Sequence, residues 1–214
     1  MVQVRTTLPA TPFPAFDTRQ VFNSERLILR GLKSTDLELY ARLRRQPETM
    51  QWTIQGGPDR DMASTQDNLG KMLPPNDVNM FNFAICLKEN DEFIGLGGCH
   101  QPLGELGWPI IGYMFRSEHW GKGYATEFLT TFLRAWWSLP RQESELQVDR
   151  STIRNKPGEE SCTECIIAVT REDNVASQNV LRKCGLDLVK IWSVPGVHDE
   201  TEEVLLHAFA STKA

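Results

Sequence analysis

The run R-S-E-H-W-G-K-G-Y-A-T-E, residues 116–127, decides the fold. It joins the end of an apolar strand to the start of an amphipathic helix through Gly121 and Gly123. Glycines so closely spaced let the backbone turn sharply and present successive N–H groups, and the helix that follows aims the positive end of its dipole at the same spot. That combination makes an anion site with phosphate as its natural occupant; a plain glycine turn is the simpler alternative. The spacing matches neither G-x-x-x-x-G-K-[S/T] nor G-x-G-x-x-G, because Lys122 falls between the glycines without a hydroxyl residue at the required place. Nucleotide triphosphatase and dinucleotide-binding readings are therefore disfavoured.

Working back from this run, residues 106–115 read as a strand in which Pro109 points to an edge, a bulge or a splay. Phe81, Phe83, Ile85 and Leu87 alternate strictly over 80–87, and Glu89-Asn90-Asp91 turns the chain into a second strand at 93–99, predicting a hairpin. Residues 25–30 form a first strand. The helix after it is capped by Ser34 or Thr35 and carries Leu37, Tyr40, Ala41 and the stem of Arg44 on its apolar face. Residues 53–58 read as a loop, and 62–73 as a helix stopped by Pro74-Pro75. Working forward, apolar positions 125, 128, 129, 132, 133 and 136 give an amphipathic helix over 124–137 facing a sheet. A strand at 165–170, a helix at 175–184 closed by Gly185, and a strand pair at 188–194 and 203–209 complete the domain.

The chain has 214 residues, 40% hydrophobic and 24% charged, an ordinary globular composition. We read 1–22 as a flexible N-terminal arm and 23–214 as a single domain with an inserted, partly disordered loop at 139–164. The formal charge of −5 comes without any basic block, so nucleic acid is a poor partner. The apolar runs 110–115 and 128–139 fall short of the roughly 20 residues of a spanning helix, which argues against a membrane protein. Five cysteines, an odd number, and no recognisable export signal point to a reducing compartment, cytoplasmic by default with nuclear as the alternative.

The two runs W-G-K-G-Y-A (120–125) and N-V-A-S-Q-N-V-L-R-K-C-G-L (174–186) resemble the GNAT superfamily of N-acetyltransferases, in particular the branch containing the ribosomal-protein N-terminal acetyltransferases. The resemblance covers roughly 25–209; Trp120 replaces the first residue of the family's Q/R-x-x-G-x-G/A loop, and Leu186 replaces a phenylalanine. It implies an α/β fold with a central, mixed, mostly antiparallel twisted sheet, splayed between its fourth and fifth strands (106–115 and 165–170) and flanked by helices. It also implies acetyl-CoA as cosubstrate; no metal is expected, on the separate ground of the cysteine spacing below. Trp120, Gly121, Lys122, Gly123, Tyr124, Ala125 and Thr126 then hold the pyrophosphate, and the backbone of Tyr113, Met114 and Phe115 holds the pantetheine and thioester carbonyl. Many relatives use a tyrosine as acid where this chain has Leu181. In the ribosomal-protein branch the serine of N-x-x-S donates the proton to sulfur, which makes Ser177 the candidate, with Asn174 on the pantetheine or an ordered water. Both residues also suit a helix cap.

The implied function is direct acetyl transfer to a primary amine of a small molecule or peptide, by a monomer or homodimer. Because amines are mostly protonated at neutral pH, a base is needed. Glu105 is the first candidate and Glu164 the second, each with a solvated surface carboxylate as the alternative. Glu127 complements the helix dipole. His119 contacts phosphate or is exposed; His100 faces the acceptor or simply ends a strand; His198 and His207 read as structural. Trp136, Trp137 and Trp52 read as packing residues, Trp52 alternatively lining an acceptor pocket as in the family. Cys162-x-x-Cys165 is a weak metal signal without a second pair. The missing tyrosine at 181 motivates a rival reading, a non-catalytic acyl-CoA-binding or interaction module. Acceptor specificity is expected in 50–76 and 195–203.

Overall fold

The computed structural model describes residues 1–154, 161–197, 199 and 201–213. Its strands are β1 (Val2–Pro9), β2 (Phe22–Asn23), β3 (Leu27–Arg30), β4 (Phe81–Leu87), β5 (Phe93–Gln101), β6 (Ile110–Phe115), β7 (Arg141–Val148), β8 (Cys165–Arg171), β9 (Asp187–Pro195) and β10 (Glu203–Thr212). Its α-helices are α1 (Leu37–Arg44), α2 (Pro47–Met50), α3 (Met62–Gly70), α4 (Tyr124–Ser138) and α5 (Val175–Lys183). Eight strands form the main sheet in the order β2-β3-β4-β5-β6-β8-β10-β9, antiparallel except between β6 and β8. No helix among the described residues is long and apolar enough to cross a membrane.

The sheet carries helices on both faces, and β4 records this in its side chains. All seven of its residues are buried. Phe81, Phe83, Ile85 and Leu87 join the core under α4, where Phe128, Phe132 and Trp136 are fully buried. Ala84 and Cys86 face the other way, against Tyr40 and Leu43 of α1 and Leu69 of α3. The strict alternation seen in the sequence is thus the mark of two different cores rather than of one wet face. Burying each large side chain contributes about 1.5–3 kcal/mol, so the Phe81, Phe83, Phe128 and Phe132 layer is a main source of cohesion.

The expected splay lies between β6 and β8. The two strands pair only at Ile110↔Ile167 and Ile111↔Ala168, with Ile167 N donating to Pro109 O. Beyond Ile111, β6 stays with β5 and β8 stays with β10, leaving a wedge that opens toward Phe115 and Arg171.

Several expectations need correction. Strand β6 starts at Ile110 rather than 106, because 104–108 close on themselves through Gly104 N to Trp108 O and Gly107 N to Gly104 O. Helix α3 ends at Gly70, before the prolines. Neither Ser34 nor Thr35 caps α1; the Asp36 carboxylate accepts from Lys33 N and from both terminal nitrogens of Arg30. The largest correction concerns the arm and the insertion. Within them β1 and β7 form a two-stranded antiparallel ribbon, registered from Val2↔Val148 to Pro9↔Arg141. Val4, Leu8, Leu146 and Val148 pack on Ile167, Ala208 and Ala210, covering the face of β8 and β10 opposite α5. The buried pair Arg141 Nε to Glu164 Oε2, 2.8 Å, and Thr7 Oγ1 to Glu164 Oε2, 3.0 Å, fasten the ribbon to the start of β8. The rest of the expected loop at 155–160 and His198 lie outside the described residues.

Candidate active site

At the open end of the wedge, β6 runs into the glycine loop. Gly121 and Gly123 have φ of +71° and +82°, left-handed values that β-carbon-bearing residues adopt at a cost. A Cβ at Gly121 would meet nothing within 4 Å, so the loop faces open space. The backbone N–H groups of Gly121, Lys122, Gly123, Tyr124, Ala125 and Thr126 find no acceptor among the described residues, and no side chain caps α4. Together with the helix dipole they form a cradle of donors that suits a pyrophosphate.

The loop is fixed from behind. Arg26 Nη1 donates to Lys122 O at 3.0 Å, Arg26 Nε pairs with Glu127 at 2.7 Å, and the guanidinium lies 4.6 Å from the Tyr124 ring centre. Burial opposes charge on Glu127, but hydrogen bonds from Ser24 and Arg26 outweigh it and hold the carboxyl below its ordinary range. Sequence reasoning gave Glu127 to the helix dipole and missed Arg26, whose partner lies 101 residues away. Arg26, Thr126, Thr130 and Lys183 line a groove beside the cradle. Trp120 is exposed, its indole N–H held by Phe115 O at 2.8 Å. His119 is buried rather than exposed; its ring nitrogens make no hydrogen bond among the described residues, Nε2 lies 3.6 Å from Glu92 Oε1, and burial lowers its pKa.

Inside the wedge, strand alternation sorts the expected backbone contacts. Pro109 O points to β8, so the peptide groups of Tyr113 and Phe115 point the same way, into the gap that β8 has left. Met114 O instead lies against Gly95 on β5, which removes Met114 from the wedge-facing set. Phe115 O already accepts from Trp120 and Thr49, leaving the Phe115 N–H and both groups of Tyr113.

The side chain of Tyr113 is the second feature that sequence reasoning missed. Its ring packs against Phe128 of α4, and its hydroxyl lies 3.1 Å from Ser177 Oγ on α5. Burial pushes the phenol up to about 12, so it stays protonated at physiological pH. Asn174 Oδ1 accepts from Ser177 N at 3.1 Å, the cap geometry, which holds Ser177 toward Tyr113. Leu181 is buried in the core.

The two carboxylates proposed as bases are not brought to this pair. Glu105 sits exposed on the turn before β6, on the closed side of the wedge. Glu164 is buried at 3% exposure, far from the surface carboxylate that was the alternative, and is engaged by Arg141 and Thr7. Trp136 is fully buried and Trp137 packs beside it. Trp52 is only half-buried, with the Arg171 guanidinium 5.8 Å from its ring, so it reaches from the α2 side to the end of β8 across the wedge mouth. The buried Arg44–Asp59 pair, 2.7 Å, holds the loop that carries it, aided by Gln55 and Asn68. His207 is buried on β10. Cys162 and Cys165 are buried together under the ribbon, and all five cysteines are free.

Comparison with known proteins agrees with this architecture. Residues 26–187 match the family model described as the acetyltransferase (GNAT) domain. An uncharacterized N-acetyltransferase, p20, of Bacillus licheniformis is 32% identical over 108 residues, 49% of this chain and 58% of that protein. The match therefore spans little more than half the length of that relative. A GNAT-family acetyltransferase from Bacillus anthracis superposes with a TM-score of 0.67 at 19% identity, covering 90% of this chain and 98% of the other. Spermidine N-acetyltransferase from Vibrio cholerae, solved with CoA and spermine, gives 0.64 at 14% identity, covering 88% and 96%. With most of its length matched by the family model, the chain belongs to the GNAT acetyltransferase family.

Proposed function

We propose that the protein moves the acetyl group of acetyl-CoA directly to a primary amine of a small molecule or peptide. The observation that carries this reading is the run of N–H groups from Gly121 to Thr126 that find no acceptor among the described residues, set at the mouth of a wedge whose wall is the free edge of β6. Acetyl-CoA supplies an activated thioester. The loop residues Trp120 to Thr126 hold its pyrophosphate, and the Tyr113 and Phe115 N–H groups are free to bind along the pantetheine and at the oxygen where charge develops.

Sulfur leaves as a thiolate, and Ser177 supplies it with a proton. A lone serine hydroxyl is a weak acid, but either hydroxyl can donate across the 3.1 Å contact, and with Tyr113 as the donor the serine O–H is left to point elsewhere and is polarised. The hydroxyl pair does from β6 and α5 what a tyrosine at 181 does in many relatives. The rival reading as a non-catalytic module rested on that missing tyrosine, and the pair weakens it.

Thermal unfolding with CoA and acetyl-CoA tests the cofactor. Ligand at about 100 times its Kd stabilises by about 2.7 kcal/mol, and Gly123→Val, which forces a β-branched residue to a φ of +82°, should abolish the shift. No shift in the wild type sinks the proposal. Thiol release from acetyl-CoA over a panel of free-N-terminus peptides and polyamines then separates enzyme from module.

A further inference from the structure

Neither candidate carboxylate is brought to the Tyr113–Ser177 pair, and the opposite face of the sheet carries an imidazole, that of His100 at the end of β5. Gly97, Cys99, Ile111 and Tyr113 face α4, which turns Gly98 and His100 of β5, and Gly112 and Met114 of β6, to the α1 side. The ladder slips between Cys99 and Gln101, and such a bulge re-aims the residue it leaves unpaired, here His100. Its ring lies across β6 at Gly112. A Cβ there would come 3.0 Å from His100 Cε1 and 3.2 Å from Nδ1, so the missing side chain is what seats the imidazole.

Gly112 is the first residue past the paired end of the wedge, and Tyr113, the next, points to the opposite face. On the α1 side this spot lies between two layers. The α1 and α3 layer covers β4 and β5, and the β1–β7 ribbon covers β8 and β10. Trp52 and Arg171 bound the open end. His100 keeps its solvent exposure on this floor.

We infer that His100 is the general base that accepts the proton of the acceptor amine, working across β6 from Tyr113 and Ser177. The inference rests on the reading of the chain as an acetyl-CoA-dependent amine acetyltransferase. Nitrogen loses two protons in all: one from the ammonium before attack, and one as the C–N bond forms and the C–S bond breaks. Sulfur takes one proton, from Ser177, which regains it from solvent through Tyr113. The two protons from nitrogen pass through the imidazole to solvent, which its exposure permits.

The surroundings suit that role. On this face β5 presents Leu96 and Gly98, and β6 presents Ile110, Gly112 and Met114, none of them charged. β8 presents Cys165, Ile167, Val169 and Arg171; the Cys165 thiol is pushed well above its ordinary range by burial, and Arg171 is paired with Asp173 at 2.9 Å. Enough of the chain surrounds the ring that desolvation lowers its pKa, keeping the imidazole neutral and able to accept at pH 7.

The test compares pH profiles of kcat/KM for wild type, His100→Gln and Gly112→Ala, with acetyl-CoA and the best amine of the peptide and polyamine panel. His100→Gln should lose about 100-fold at pH 7. Its rate should then climb tenfold per pH unit toward the ionisation of the amine itself, approach wild type at high pH, and be partly restored at pH 7 by added imidazole. The KM for acetyl-CoA and the thermal shift with CoA should not move. Gly112→Ala displaces the ring without removing it, and should lose about tenfold at pH 7 with the same closing gap. A folded His100→Gln protein that shifts with CoA and keeps the wild-type profile overturns the role of His100 and leaves the functional reading intact. Should His100→Gln fail to fold, an unchanged profile in Gly112→Ala overturns it instead. A wild type that binds CoA but acetylates no amine of the panel overturns the functional reading and this assignment with it.

Discussion

The two faces of the sheet around β6 are built in different ways. The α4 and α5 face draws its working parts from two short runs, 113–127 and 174–185, in which strand, loop, cap and helix follow one another. The α1 face is assembled from segments that meet only in the folded chain: α1 with α3, the end of β5 on β6, and β1 on β7, where Gln3 and Glu145 meet across 142 residues. On the function proposed above, the first face is the local motif that would hold acetyl-CoA, and the second is the composite that would enclose the acceptor. Changes to the composite should therefore alter stability and acceptor use while leaving cofactor binding alone.

The strongest way to break that contrast is Arg141→Ala. Removing the guanidinium leaves the buried Glu164 carboxylate without its cationic partner and frees the Trp136 and Leu139 carbonyls that Arg141 also holds. Stability should fall by about 3 kcal/mol at pH 7 in denaturant unfolding. CoA affinity of the remaining folded protein should be unchanged in calorimetric titration. A large loss of CoA affinity would mean that the two faces are coupled and that the contrast drawn here fails.

Next in size is Ser177→Ala on the local face, expected to lower kcat about 100-fold with the KM for acetyl-CoA nearly unchanged. An unchanged kcat removes Ser177 from the mechanism. Tyr113→Phe keeps the ring against Phe128 and deletes only the hydroxyl, so about tenfold in kcat is expected. The loss should vanish with p-nitrophenyl acetate as acyl donor, whose leaving group needs no proton. Equal slowing with both donors would show that the hydroxyl serves packing rather than proton donation.

What could be read from the sequence follows the same division. The glycine loop, α4, the β4–β5 hairpin and the α5 cap were legible because each signal lies within one element and its neighbour. The ribbon was not. Residues 141–148, R-Q-E-S-E-L-Q-V, offer only Leu146 and Val148 as apolar positions, and β1 precedes a proline-rich stretch that reads as a loose arm. Val2, Val4 and Leu8 alternate in β1, as Leu146 and Val148 do in β7, but so few apolar positions among polar ones acquire a structure only when the two strands pair and lie on β8. Tyr113 was noticed for its backbone, since nothing in I-I-G-Y-M-F says that the phenol spans to a helix 64 residues on. Glu164 looked like a surface carboxylate because its partners, Thr7 and Arg141, belong to the unreadable ribbon. His100 and Gly112 were both visible, but only the register of β5 on β6 puts one over the other.

Glu164→Gln is the finest test of how the composite face is held. Burial pushes the Glu164 carboxyl above its ordinary range, and the attraction of Arg141 and the bond from Thr7 do not fully offset it. A folded-state pKa above the unfolded one means that the native protein binds more protons than the unfolded chain. The contribution of Glu164 is therefore complete below the unfolded carboxyl pKa of about 4.3 and is lost as pH rises through the raised folded value. Glutamine keeps an acceptor for Thr7 and needs no counter-charge, and Arg141 retains two carbonyls. The substitution should thus cost less than Arg141→Ala, about 1 kcal/mol or less at pH 7. Its cost relative to wild type should shrink as pH rises from 4 to 7. A penalty that instead grows with pH over that range would mean that the ion pair, and not burial, governs Glu164, and that the ribbon is clamped by charge.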